Sequence, residues 1–308
     1  MNNDIRHGHM FALAAFGVWG TFPVFFKFLQ GIPAWEILAH RISWSMLTLI
    51  IFLALTGKLW RTLRLTADLK QSKWLFVSAS LIAVNWVTFI WAVNDGRILE
   101  TSLGYFFTPI INILIGLALF REKLRRGQWM AVTLACIGVG YQVIELGHLP
   151  WVSLSLALSF GLYGAIRKRT TVNSIDGLAI ETLLLCPISL GYLAWLWSQN
   201  TLSLSLETPA KDALLAITGL VTILPLIWFA SAAKRLPMTT IAFWQYMTPT
   251  ITMQLAIWVY NEPFDEKRLI PFLLIWSALV IFSIDSLRSA RKIRRMAMVA
   301  PLKEQPAK

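Results

Sequence analysis

The 308-residue chain is 56% apolar and only 14% charged, carries 15 Trp, and has a mean hydropathy of +0.61. That is more hydrophobic surface than one soluble core of this length buries, which excludes a water-soluble globular protein and points to a polytopic membrane protein. The formal charge of +12 sits in short segments beside apolar runs, where it orients the chain and meets anionic lipid headgroups, so nucleic acid is not an expected partner.

After a short N-terminus (1–9), a window of about 19 residues predicts five spans near 10–28, 35–55, 74–94, 100–120 and 127–145. Five more follow near 150–168, 178–198, 212–232, 238–260 and 269–287, and a basic tail runs from 288 to 308. Each span is close to the roughly 20 residues that cross about 30 Å of hydrocarbon. The first stretch lacks a small-residue cleavage site and leads into further spans, so it reads as retained rather than as a signal peptide. Lys27 at its outer end reads as a snorkelling anchor.

In the second span the uncharged run from Ile42 to Gly57 is too short to cross alone, so the turn Glu36-Ile37-Leu38-Ala39-His40-Arg41 must dip into the membrane. Glu36 and His40, four apart on one helix face, suit an ion pair or a shared proton. Arg41 falls about 10 Å below the outer end, deep for an anchor yet within reach of snorkelling. A substrate or counter-ion contact and a structural ion pair are both open for this turn. Asn85-Trp86 in the third span lies near midplane with Phe89 on the same face, and a midplane indole is unusual. Together with Trp19, Tyr163, Trp228 and Trp244 it would wall an aromatic cavity, the alternative being plain packing.

The fourth span carries a polar stripe, Thr101, Tyr105, Thr108 and Asn112, at helical spacing, with Pro109 freeing a carbonyl one turn earlier. The ninth span mirrors it with Gln245, Thr248, Pro249 and Thr252. Freed carbonyls are tolerated only inside protein or a watery cavity, so both stripes are expected to face the interior and each other. Cys136 and Cys186 fall within spans, where small apolar packing is the default. Glu181 and Asp285 lie near cytoplasmic ends, placed to neutralise local Lys or Arg.

The chain also repeats itself. Thr108-Pro109 is followed by Glu122, and Thr248-Pro249 by Glu262, at the same spacing, with apolar residues aligned on both sides. This divides the chain into units 10–145 and 150–287. Five spans per unit force the second unit to enter the membrane in the opposite sense. The charge agrees: Arg121-Glu122-Lys123-Leu124-Arg125-Arg126 is basic where Asn261-Glu262-Pro263-Phe264-Asp265-Glu266 is acidic. Basic residues crowd the segments on one side, and the opposite loops hold only Arg97, Lys211, Lys267 and Arg268, which puts both termini in the cytoplasm. Inverted repeats of this kind belong to secondary transporters with a midplane substrate site between them. Phosphate loops, zinc motifs and nucleophile elbows are absent from the sequence, so neither catalysis, a metal nor a cofactor is expected.

Ten spans in two inverted halves resemble the drug/metabolite transporter superfamily with its EamA-type repeats. Trp35-Glu36-Ile37-Leu38-Ala39-His40-Arg41, then Asn85-Trp86 with Phe89-Ile90-Trp91-Ala92-Val93-Asn94, and Ser102-Leu103-Gly104-Tyr105-Phe106 are similar to the RarD-type branch, the chloramphenicol-sensitivity proteins of bacterial inner membranes. The resemblance implies a plasma-membrane location and small-molecule transport, and it marks Glu36, His40, Arg41, Asn85, Trp86, Tyr105, Pro109 and Asn112. The Asn94-Asp95-Gly96 loop departs from the branch and stays outside the site.

The resulting expectation is an all-α polytopic membrane protein that moves amphipathic or aromatic metabolites or drugs outward by alternating access. Arg41, Asn85, Trp86, Tyr105, Asn112 and Gln245 would bind substrate, Glu36 and His40 would couple a proton, and Pro109 and Pro249 would gate. A gradient-independent facilitator is the alternative; an embedded enzyme would need a second polar cluster, and a sensor would need an output domain. Membrane lipid is the remaining partner, and association into a homodimer is left open.

Overall fold

The structure, a computed structural model, describes residues 3–29, 31–66, 68–94, 98–147, 150–204, 209–259 and 266–299. Among these residues the chain is helical throughout, without a strand. The first repeat supplies α1 (Asn3–Lys27), α2 (Ala34–Leu55), the short α3 (Leu59–Leu65), α4 (Leu69–Asn94), α5 (Ile98–Phe120) and α6 (Arg126–Leu146). The second supplies α7 (Trp151–Arg169), α8 (Ser174–Ser198), α9 (Pro209–Arg235), α10 (Met238–Gln245), α11 (Met247–Trp258) and α12 (Glu266–Val299). The acidic segment at Glu262 and the Asp95-Gly96 turn lie outside the described residues.

Seven of these helices, α1, α2, α4, α6, α8, α9 and α12, contain stretches long and apolar enough to cross a membrane, and α5 holds a shorter apolar stretch, Gly104–Phe120. Leu55, Ile144, Ile188 and Trp258 point outward, each more than 70% exposed. A water-facing surface does not carry so much apolar area, whereas hydrocarbon receives it without penalty. The chain is therefore an integral membrane protein.

The two repeats are not two bundles. The dominant contacts pair helices of opposite repeats: α1 with α9 and α10–α11, α2 with α8 and α9, α4 with α7 and α8, and α5 with α7 and α10. Followed in turn, these contacts close a ring of helices, α1, α9, α2, α8, α4, α7, α5 and α10–α11. α6 and α12 pack on each other beside it, against α5 and α10 through Phe106–Phe272 and the stacked pair Phe243–Phe282. The pattern has twofold symmetry, since α1 meets α9 as α7 meets α4, and α1 meets α10–α11 as α7 meets α5. Small residues let the backbones approach. A Cβ on Gly219 of α9 would sit 2.5 Å from the Trp44 carbonyl carbon and 2.6 Å from the Ser45 nitrogen of α2.

The two Thr-Pro pairs behave differently. α5 runs unbroken through Pro109, and the Thr108 hydroxyl donates back to the Gly104 carbonyl at 2.8 Å, stitching the turn that the proline weakens. The Thr248 hydroxyl donates instead to the Phe16 carbonyl of α1 at 3.0 Å. Its own helix is stitched by Thr250, whose hydroxyl donates to the Tyr246 carbonyl at 2.8 Å, and the expected ninth span divides into α10 and α11 at Tyr246.

Glu122 shows why the repeat places a carboxylate after the proline. α10 begins after Pro237, which offers no side-chain cap, and Glu122 accepts from the Met238 nitrogen at 2.7 Å, the Thr239 nitrogen at 3.0 Å and the Thr239 hydroxyl at 2.8 Å. A carboxylate on a helix N-terminus satisfies orphan N–H groups and the helix dipole together. Glu122→Ala is expected to lose about 1–2 kcal/mol of stability, seen as a lower midpoint in detergent thermal unfolding, with Glu122→Gln intermediate. An unchanged midpoint for the alanine variant would dismiss the cap.

Several of the basic residues between the spans serve helix ends. Lys168 donates to the Ala233 carbonyl at 3.0 Å and to that of Leu236, Arg169 to the Leu119 carbonyl at 2.9 Å, and Lys234 to the Val172 carbonyl. These are carbonyls at or just past helix ends, where cations are favoured. Arg61 and Thr62 of α3 reach Asp176 at 2.5 and 2.7 Å, docking that short helix on the start of α8. Beyond the expected end of the last span, α12 continues to Val299.

Candidate functional site

Inside the ring, α2, α4, α7, α8 and α9 leave a void of ≈ 20 Å³ whose lining includes Ser45, Trp86, Tyr163, Glu181, Thr182 and Thr222. It has room for about one water, against the roughly 300–1,000 Å³ of a small-molecule pocket. The helices are closed around it, and an organic solute would need them to part.

Arg41 lies beside this void and contacts two residues of its lining, Thr222 and Trp86. Its Nε donates to the Thr222 hydroxyl at 2.9 Å, and its guanidinium carbon lies 5.3 Å from the Trp86 ring centroid and 5.4 Å from that of Phe26. Thr222 is about 20 Å along α9 from its start at Pro209, at 1.5 Å per residue. The Arg41 side chain therefore reaches the middle of that apolar helix and not its Pro209 end. Both aromatic faces attract the cation, and Tyr105 is an electrostatic neighbour of it.

Glu36 and His40 occupy the outer turn of α2, and both are buried. The Glu36 carboxylate accepts from the Ser203 backbone at 2.6 Å and the Ser203 hydroxyl at 2.9 Å, tying α2 to the segment between α8 and α9. His40 Nε2 lies 3.8 Å from Glu36 Oε1 and has no hydrogen-bond partner among the described residues, nor does either buried carboxylate oxygen of Asp212 on α9, another electrostatic neighbour of His40. Asp212 escapes a sequence reading because it sits at the edge of an apolar run, where an acid looks like ordinary solvated loop.

The stripes of α5 and α10 do meet. The Asn112 amide donates to Gln245 Oε1, with Asn112 fully buried, so the pair links equivalent helices of the two repeats within their interface and not at the void. Asn85 of α4 donates to the Leu156 carbonyl at 2.8 Å and the Ser159 hydroxyl at 3.0 Å, fastening α4 to α7. Of the aromatics named from sequence, Trp86 and Tyr163 line the void. Trp19 packs on Phe16, Phe160 and Phe229, and Trp244 donates to His9 Nδ1 at 3.0 Å.

Also lining the void, Glu181 lies 3.5 Å from Arg167 and accepts from Ser78 and, at 3.5 Å, from Tyr163. Arg167 also donates to the Ser174 carbonyl at 3.0 Å. In sequence it reads as one charge of a cytoplasmic Arg-Lys-Arg run, but it is 0% exposed. Asp285 pairs with Arg125 at 2.5 Å, in keeping with the neutralising role expected for both acids. Among the described residues no group of His, Cys, Asp and Glu is arranged to hold a metal.

A model of the EamA-like transporter family matches the chain twice, over residues 6–142 and 150–284. An uncharacterized transporter of Vibrio cholerae is 42% identical over 293 residues, covering 95% of this chain and 97% of its own. Protein RarD of Salmonella typhimurium is 40% identical over 287 residues, covering 93% and 98%. A chloramphenicol-sensitive protein RarD of Pseudomonas aeruginosa is 30% identical over 293 residues, covering 94% and 97%. One crystal structure shares the fold with a TM-score of 0.67 at 14% identity, over 89% of this chain and 96% of that one.

Proposed function

This chain belongs to the EamA-like transporter family, and from that premise we propose that it is a secondary exporter of amphipathic or aromatic organic solutes in the bacterial inner membrane. In this reading ten spans cross the membrane, with α10 and α11 together forming the ninth, and both termini are cytoplasmic. The observation that carries the proposal is Arg41, whose Nε donates to Thr222 and whose guanidinium faces Trp86, both of them lining a void walled by helices of both repeats; in this reading it lies in the membrane interior. An ionisable group at that depth is expensive and marks a substrate or ion path. Arg41, Trp86 and Tyr105 would meet the solute, while Asn85, Asn112 and Gln245 would hold the helices that enclose it.

Because the repeats interlock, access would alternate by movement of single helices and not by one repeat rocking as a body. The α10–α11 junction at Tyr246, before Pro249, is the natural hinge, with Pro109 its counterpart in the continuous α5. Glu36 and His40 are the proposed proton-sensitive pair. A gradient-independent facilitator has its own support, since Ser203 already occupies the Glu36 carboxylate.

Proteoliposomes containing the chain, given a panel of aromatic and amphipathic solutes with and without a pH gradient, test this directly. Gradient-driven movement lost in Glu36→Gln or His40→Ala would favour coupling, and indifference to the gradient would favour the facilitator. Arg41→Ala and Asn112→Ala are expected to abolish transport with normal membrane insertion. Normal transport by both would remove the proposed site.

A further inference from the structure

We infer that the transported solute bears an anionic group that docks on Arg41, so that the substrate class is organic acids with a flat apolar body. This rests on the reading of the void as the transport site, and it starts from the guanidinium itself. Among the described residues none of the ion pairs includes Arg41. The acid one turn above it, Glu36, is held by Ser203, and the acid across the void, Glu181, faces Arg167. Thr222 takes only the Nε proton. The terminal nitrogens, which present the fork that fits a carboxylate or similar oxyanion, have no acceptor among the described residues.

A charge in the membrane interior without a counter-charge is retained where a mobile partner supplies one. Here two aromatic faces, Phe26 and Trp86, lie 5.4 and 5.3 Å from its guanidinium carbon, and Trp86 and Thr222 both line the void. An oxyanion seated on the guanidinium would place the rest of its own molecule against Trp86 and Tyr163. A flat apolar body suits those walls, while an amine would meet Arg41 with like charge.

The test uses the full chain in proteoliposomes and four probes: indole-3-acetate, its neutral amide indole-3-acetamide, the amine tryptamine, and chloride. Saturable movement of indole-3-acetate, with the amide and amine not transported, is the expected result. Arg41→Gln should raise its half-saturation concentration about tenfold to a hundredfold, and Arg41→Lys should fall between, because it keeps the charge and loses the fork. Movement of the amide or amine as fast as the acid would overturn the anion assignment while leaving transport standing. Chloride as the sole mobile probe would overturn the organic body, and an Arg41→Gln variant with unaltered half-saturation would remove Arg41 from recognition. If no probe moves, the anion inference and the transport reading fall together. Should Arg41→Gln not fold, the ranking of probes on the unmodified chain decides alone.

Discussion

Arg167→Met should lower the thermal midpoint of the purified protein by about 6–12 °C, the equivalent of roughly 3 kcal/mol or more. Arg167 is 0% and Glu181 2% exposed, and the carboxylate draws on Arg167, Ser78 and Tyr163. Removing the guanidinium strands a carboxylate at the edge of the void and frees the Ser174 carbonyl. Breaking one partner of a buried pair is harsher than replacing both with apolar side chains. The double variant Arg167→Met/Glu181→Leu is accordingly expected to recover a good part of the loss. A single variant melting within about 2 °C of the parent would mean that the pair contributes little. A double variant worse than the sum of the singles would contradict the stranded charge as the cause.

Gly219→Leu is the second large effect, and it couples packing to the site. α2 and α9 approach so closely there that a Cβ would meet the backbone of Trp44 and Ser45, and the Ser45 hydroxyl donates to the Gly219 carbonyl at 3.1 Å. Backbone cannot swing aside as a flexible side chain can, so the helices must separate, at about 1–3 kcal/mol. Separation also draws Thr222, three residues further along α9, away from Arg41. Stability and transport should therefore fall together. Gly191 on α8 provides the control, because a Cβ there meets nothing within 4 Å and Gly191→Leu should leave both unchanged. Equal behaviour of the two leucine variants would remove the close approach as a determinant.

What the sequence made legible was local. Glu36, His40 and Arg41 stand out because charged groups inside an apolar run are rare and costly, and the stripe from Tyr105 to Asn112 because its spacing is helical. Their roles were less legible. Asn85, near midplane with a tryptophan beside it, resembles a cavity residue, yet its amide serves α7. Asn112 answers Gln245 in a helix interface. Arg167, hidden in a run of cytoplasmic cations, is the largest of the fully buried side chains. Nothing in a one-dimensional pattern separates it from Lys168 and Arg169, because burial depends on what arrives from elsewhere in the chain.

By itself the sequence determined the membrane class and the duplicated unit, and it singled out a short set of polar groups inside apolar runs. Hydropathy, helical period and loop charge are properties of neighbouring residues, and the bilayer acts on them directly. Tertiary structure alone decided that the repeats interlock into one ring, that the Thr108 hydroxyl stays within α5 while that of Thr248 reaches α1, and that Arg41 meets Thr222 across 181 residues of chain. Those outcomes turn on which helix face finds which partner. In a bilayer that choice rests on close packing and a few hydrogen bonds between distant segments, with no gradient of hydrophobicity left along the chain to reveal it.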